Sequence, residues 1–448
     1  MKAFTRVVQP ITKWGGNPVK PMNKCLMGSF ASLIALSTVL IGCSSGSGDS
    51  ANGTGAKKTK VTFWHGNTDT EKEALERIVK AFHEQNPDIQ VDMTYIAQQG
   101  EGQNEKLLAA IAGGNPPDAA YFDRFEIGSW AARGSLTDLT DKAKAEQINA
   151  SDYYEFAMAE ATYKGKLYGL PNDTDSRLLY YNKDQFKEVG LDPEHPPKTI
   201  AELEAAAEKL TKKTGKRFER IGFIPWYDQG WIYTWGWAFG GDFYDKSADK
   251  VTADHPNVVR ALEWMRDYAK KYNIEDVAAF TDSAGSGADN PFLTGQLSMT
   301  VSGPWRIAGI KKYKPNLNYG VTPIPTPTGD KFTSWSGGFS YIIPKGAKNA
   351  DAAWKFIKFA AGKNGQKIFS ETTGNLATIP SVNEGIKDPA TKKFAEILPQ
   401  SHNRPVISAG SLLWNELSRA RDNAIHDKGT PKEILQEVSQ KVNSELHK

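Results

Sequence analysis

The densest run of chemically suggestive side chains is Trp226-Tyr227 followed by Trp231, Tyr233, Trp235, Trp237 and Phe239, which puts four of the 12 tryptophans within a dozen residues. Flat aromatic faces suit the C–H faces of a sugar ring, and carboxylates and amides suit its hydroxyl rim; indole N–H and phenol O–H groups stay satisfied at such a wet edge. The same run also suits a hydrophobic core. If residues 230 to 239 form a helix, Trp231, Trp235 and Phe239 share one face, and at least half of the rings belong inside. Trp226 and Tyr227 follow Pro225 and precede that helix, which makes them the better ligand candidates. Two acidic positions join them. Asp173 and Asp175 lie in a turn between two predicted strands, where an Asp caps as readily as it binds. Asp123-Arg124 closes another short predicted strand and reads equally as a surface ion pair.

Other chemistries lack their signatures. There is no Gly-rich phosphate loop ending in Lys-Ser/Thr, no Gly-x-Gly-x-x-Gly after a strand, no His-Glu-x-x-His and no Gly-x-Ser-x-Gly. The histidines His65, His83, His195, His255, His402, His426 and His447 never fall three or four apart, and the only cysteines are Cys25 and Cys43. No metal, no cofactor and no catalytic triad is therefore predicted. A glycosidase needs only two carboxylates, which can lie anywhere in a chain, so glycoside hydrolysis stays open as an alternative.

The charge is unevenly placed. Across 448 residues, 55 Lys and Arg face 52 Asp and Glu, for a net +3. Residues 1–42 carry Lys2, Arg6, Lys13, Lys20 and Lys24 and no acid, with an uncharged run from Leu26 to Ile41. A basic start and an apolar run shorter than the roughly 20 residues of a membrane span predict an export signal. Met22 offers a second start, because Met22 to Cys43 already contains a complete signal. Its removal leaves 50 basic against 52 acidic groups, and with them no motive for a nucleic-acid partner. Leu40-Ile41-Gly42-Cys43 resembles the bacterial lipobox, which implies cleavage before Cys43 and a lipid on its sulfur. Residues 43–59, rich in Ser, Gly, Asn, Thr and Lys, predict a flexible tether. No later segment is apolar enough to span a bilayer.

The elements that must position these groups alternate. Val61–Trp64 reads as a strand, and Leu75, Ile78, Val79 and Phe82 form one helical stripe stopped by Asn86-Pro87. Ile89–Ile96, a helix from Asn104 to Ala112 and the strand Ala119–Phe122 follow. A β-α-β-α-β order predicts a mainly parallel sheet whose ligand loops lie at the strand C-termini, at Trp64-His65-Gly66 and Asp123-Arg124. Leu178–Tyr181 predicts a further strand; helices are predicted over Thr199–Thr211, Asn257–Tyr272, Ala350–Ala360 and Pro431–Leu446. The alternation spans the whole chain, so the fold class is α/β in two lobes.

Several segments resemble the extracytoplasmic solute-binding proteins of ABC importers, in the sugar-binding branch that includes maltose-binding protein. They are Tyr121-Phe122-Asp123-Arg124-Phe125 with Gly134-Ser135-Leu136-Thr137-Asp138-Leu139, Gly165-Lys166-Leu167-Tyr168-Gly169-Leu170-Pro171, Leu178-Leu179-Tyr180-Tyr181-Asn182-Lys183-Asp184, Met299-Thr300-Val301-Ser302-Gly303-Pro304-Trp305 and Asn318-Tyr319-Gly320-Val321-Thr322-Pro323-Ile324-Pro325. The resemblance covers nearly the whole chain from Val61. It implies a periplasmic-binding-protein-like (type II) fold, two α/β lobes joined by a hinge with a ligand cleft between them. The lobes are expected over 60–172 with 321–361, and over 175–318 with 365–448. It implies that Asp123-Arg124 contacts ligand, that Asp175 and its neighbour Asp173 lie in the cleft, and that Trp305 and Trp414 stack on it. Trp64 and His65 sit where the first loop reaches the cleft, and Trp226, Tyr227 and Trp231 where aromatic contacts are placed. Ser334-Trp335-Ser336-Gly337-Gly338 is a further landmark: Trp335 and Gly337 either touch ligand or, for Trp335, brace the hinge. The implied function is a monomeric, lipid-anchored, non-enzymatic binding subunit on the outer face of the cell membrane. It delivers a carbohydrate, most simply an oligosaccharide, to a permease driven by a cytoplasmic ATPase. The same fold with a glycerol phosphodiester, a polyamine or a metal complex as ligand is the alternative; Arg124 in a contact position argues against a polyamine.

Overall fold

A computed structural model of the chain describes residues 58–97 and 105–448. The export signal, Cys43 and the tether as far as residue 57 lie outside the described residues. The elements β1 (Thr59–His65), α1 (Asp69–Gln85), β2 (Ile89–Tyr95), α2 (Glu105–Ala112) and β3 (Ala119–Asp123) follow in the predicted order. In β1, Val61, Phe63 and His65 turn inward in strict alternation, the period of a strand with one covered face. In α1 the stripe Leu75, Ile78, Val79 and Phe82 is buried, and the Asn86 N–H closes the last turn on the Phe82 carbonyl.

β1 runs parallel to β2 on one side and to β3 on the other. The sheet then changes character. The strand Phe339–Ile342 pairs antiparallel with β3 and, on its far side, with Gly169–Pro171, so a segment some two hundred residues downstream completes the first sheet. The helices Ala350–Ala361 and Lys363–Thr373 supply Trp354, Phe356, Ile357 and Phe369 to the core that β1 and α1 begin with Phe63 and Phe82.

The second lobe is organised on Leu178–Asn182, which lies between Met299–Ser302 and Tyr319–Thr322 with both pairings antiparallel. Leu178 and Tyr180 enter one core with Phe292, Ile307 and Phe394. Leu179 and Tyr181 enter another with Trp235, Phe243 and Met265. All five residues are buried, because helices cover both faces of this sheet. The helix Ile200–Leu210 opens with a capping box in which Thr199 and Glu202 exchange side-chain and backbone bonds. Pro256–Tyr272, Gly410–Ile425 and Pro431–Leu446 pack together beside it.

The packing departs from the expected lobe limits at two places. Val321 pairs with Tyr180 in the second sheet and Trp335 belongs to the second core, whereas Lys363–Thr373 packs on α1 and sends Phe369 into the first. Both crossings lie C-terminal to the expected limits at 321 and 365. A hydrophobic pattern identifies a strand or helix without naming its partner, and here partner choice determines the lobe.

Candidate ligand-binding site

The loops at the C-terminal ends of β1 and β3 meet the segments that cross between the lobes, and buried charge is concentrated there. Arg124 is 0 % exposed. Its Nε donates to Glu160 Oε2 at 2.9 Å, Nη2 to the Gly337 carbonyl at 2.7 Å, and Nη1 to the Asp173 carbonyl. Burial raises the Glu160 pKa, against the opposing pull of Arg124. Gly338 has a φ of +131°, and a Cβ there would collide with the Asp173 carbonyl and the Arg124 guanidinium; only glycine fits the crossing at this point. Arg124, expected to touch ligand, instead fastens three segments of backbone and side chain together. The argument it supplied against a cationic ligand lapses with that placement.

Three further arginines each meet one acid. Arg177 pairs with Asp175, whose Oδ1 also accepts from the Gly337 N–H at 2.6 Å; burial pulls the Arg177 pKa down to about 10. Arg404 Nη2 bonds Asp123 Oδ1 at 2.8 Å, and Arg306 Nη2 bonds Asp228 Oδ2 at 2.7 Å. The guanidinium of Arg177 lies 3.6 Å from the Trp335 ring centre and 5.7 Å from that of Trp305; that of Arg404 lies 4.1 Å from Phe125 and 5.5 Å from Trp414. Stacked cations of this kind hold indoles in place.

The aromatic candidates separate into two groups. Trp64, Trp226, Tyr227, Trp231, Trp305 and Trp414 are all partly exposed. Trp231 and Trp414 stand 4.8 Å apart, centre to centre, with Phe125 5.3 Å beyond Trp414. They therefore form one apolar wall built from the start of the helix Ile232–Ala238 and from Gly410–Ile425. Tyr233, Trp235 and Trp237 are core, whereas of the predicted face Trp231, Trp235 and Phe239 only Trp235 is fully buried, because the short helix is covered on more than one side. Trp335, by contrast, is 2 % exposed, covered by Arg177, and donates its indole N–H to Thr234 Oγ1 at 2.8 Å. Its ring is thus enclosed rather than open to a ligand. His65 is buried too: its Nδ1 accepts from the Asn67 N–H at 3.3 Å, and burial lowers its pKa. Gly337 contributes backbone only, to Arg124 and Asp175.

A polar cluster gathers where the first lobe meets the crossing segments. Asp173 Oδ1 accepts from Tyr121 Oη and from the Phe339 N–H, each at 2.9 Å, and its Oδ2 accepts from Asn375 Nδ2 at 2.8 Å. Burial raises the Asp173 pKa to about 6. Glu71, in the first turn of α1, accepts from Asn67 Nδ2 at 2.7 Å, and burial with the nearby Asp173 charge raises its pKa to about 7. Glu71, Asn67, Asn375, Arg177 and Arg404 are absent from the sequence-level candidates. Glu71 was disguised as an ordinary first-turn acid at a helix N-terminus, and Arg404 had no local signal at all. A cavity of about 700 Å³ between Tyr319–Thr322 and Pro389–Ile397 contains none of these groups.

Residues 77–397 match the model of the bacterial extracellular solute-binding protein family. The chain belongs to that family. A maltooligosaccharide ABC transporter solute-binding lipoprotein of Streptococcus pneumoniae is 26 % identical over 85 % of this chain and 87 % of its own length. The maltodextrin-binding protein MdxE of Bacillus subtilis is 29 % identical over 78 % and 80 %. Among solved structures, CpMnBP1 with mannobiose bound superposes with a TM-score of 0.79 at 30 % identity, covering 86 % of this chain and all of that one. A solute-binding protein of this family has two lobes about a cleft, the arrangement that the two sheets and their crossing segments form here.

Proposed function

We propose that the protein is the lipid-anchored receptor of an ABC importer, capturing a carbohydrate, most simply an oligosaccharide, between its lobes and presenting it to the permease. The observation that carries this reading is the pairing of two unlike walls. Partly exposed Trp231, Trp305 and Trp414 present ring faces, while Asp173, Glu71 and the amides beside them present hydrogen-bonding groups. A sugar ring has the same division into C–H faces and a hydroxyl rim. Ligand that touches both lobes favours their closed arrangement, which is the form a permease would distinguish. Catalysis is not part of this reading. The relatives' names, a maltooligosaccharide lipoprotein and a maltodextrin-binding protein, support both the ligand class and anchoring through Cys43.

A thermal-shift screen of the purified protein against mono- and oligosaccharides tests this directly. A native-state ligand at one hundred times its Kd adds about 2.7 kcal/mol to stability, so a true ligand raises the melting temperature by several degrees. A panel without any shift, alongside a shift with a polyamine or a phosphodiester, would transfer the fold to a different solute.

A further inference from the structure

The charges around the cleft do not balance. Arg124 faces Glu160, Arg177 faces Asp175, Arg306 faces Asp228 and Arg404 faces Asp123, one to one. Glu71 and Asp173 are left over, with no ion pair to any described residue; their carboxylates bond amides, a phenol and a backbone N–H instead. A single amide stands between the two, since Asn375 donates to Asp173 and also acts to lower the Glu71 pKa. Asn67 and Asn375 are 5 % and 3 % exposed, yet each commits its NH2 to these carboxylates while its own Oδ1 finds no donor. Two neighbouring anions with unfilled acceptors beside them form an arrangement that lacks protons.

Every element around the pair supports the same conclusion. α1 contributes Glu71 itself, and the loop after β1 contributes Asn67, whose N–H donates to His65 Nδ1, a histidine whose pKa burial lowers. β3 contributes Tyr121, the crossing segment Asn172 and Asp175, and Phe339–Ile342 contributes Tyr341, whose hydroxyl has no partner. The cation that acts on Asp173 most strongly is Arg124. It is already paired with Glu160, and it reaches Asp173 through the backbone carbonyl while pulling the carboxyl down less than burial pushes it up.

Resting on the carbohydrate reading above, we propose that Glu71 and Asp173, with Asn67 and Asn375, form a ligand-reading subsite that holds one shared proton when the cleft is filled. The site then selects an uncharged polyol and takes up a proton as it binds. A protonated carboxyl offers one donor and one acceptor to a hydroxyl, and half a turn of either amide lets its oxygen accept from that proton while its NH2 turns to ligand oxygen. Ligand entry strips water from the pair and disfavours its ionised form further. The bound state therefore has the higher pKa, so affinity is full at acid pH and declines as pH rises through the ligand-free value of about 7 for Glu71. A ligand carrying an ammonium group would do the reverse, filling the charge deficit and binding more tightly as the carboxylates ionise.

Calorimetric titration of the protein with mannobiose and with maltotriose, from about pH 5.5 to about pH 8.5 in buffers of different ionisation enthalpy, tests the proposal. The expected result is proton uptake on binding and an affinity that falls by up to about tenfold per pH unit above neutrality. Glu71→Gln, which makes the side chain permanently uncharged, should bring the ratio of acid to alkaline affinity towards one. Binding of either sugar with a flat wild-type profile, or a profile that survives in Glu71→Gln, overturns this inference alone. Affinity for either sugar that rises with pH overturns it as well, since an uncharged ligand would then prefer the ionised pair. Failure of both sugars to bind at any pH removes the carbohydrate reading, and the inference with it. The buffer comparison on the wild-type protein does not depend on how well the variant folds.

Discussion

The two walls of the cleft are built in opposite ways. The aromatic wall comes from short stretches, Trp226 to Trp231 leading into the helix Ile232–Ala238, and Trp414 on Gly410–Ile425, both packed against core. The polar wall brings together Asn67, Glu71, Tyr121, Asp173 and Asn375, which are separated by up to three hundred residues and supplied by five segments. Partial exposure suffices for an indole, because a ring face needs only shape and removal of water to attract C–H groups. A buried carboxylate needs every lone pair answered, so it exists only where several segments converge. The aromatic wall should therefore govern how tightly a ligand is held, and the polar wall which ligand is accepted. Between them stands the arginine framework, which touches both walls and keeps them apart.

The sharpest way to break this comparison is to remove the framework. Arg124→Ala leaves Glu160 charged and unpaired in the interior and should cost about 3–5 kcal/mol of stability, read as a large drop in melting temperature with or without ligand. A small drop would mean that Arg124 serves the ligand rather than the fold. Next in size is Trp305→Ala, which should weaken sugar binding by more than about 1 kcal/mol while leaving the ligand-free melting temperature little changed. Unchanged affinity would assign Trp305 to the core with Trp335. The smallest effect belongs to Lys312, at the end of the helix Trp305–Tyr313, which meets Asp69 at the start of α1 across the lobes beside the 2.9 Å bond from Tyr313 Oη. Both partners are substantially exposed, and solvent screens such a pair. Lys312→Ala should leave melting temperature and affinity within error, and a clear loss of affinity would make that contact a latch on the closed form.

Legibility followed the range of the interaction. Helices such as Pro431–Leu446 and strands such as Ile89–Tyr95 were readable almost to the residue, since their apolar periods and their Pro and Asn stops are local. Trp335 and Arg124 were visible as candidates but not as to role. The groups that enclose them, Arg177, Thr234 and Glu160, come from elsewhere in the chain. Val321 shows the same limit at the level of a strand, whose alternation was plain and whose partner was not.

By itself the sequence determined the α/β alternation, the family and the Trp226–Trp231 part of the aromatic wall, because periodicity, ordered motifs and clustered tryptophans are properties of neighbouring residues; that Trp414 and Phe125 join it was decided by packing. Only the tertiary structure decided which acids would be left without a cation. Charge balance in a buried site depends on distances between segments that no spacing along the chain records. Burial, which raises the Glu71 and Asp173 pKa values to about 7 and about 6, is a property of the packed molecule alone.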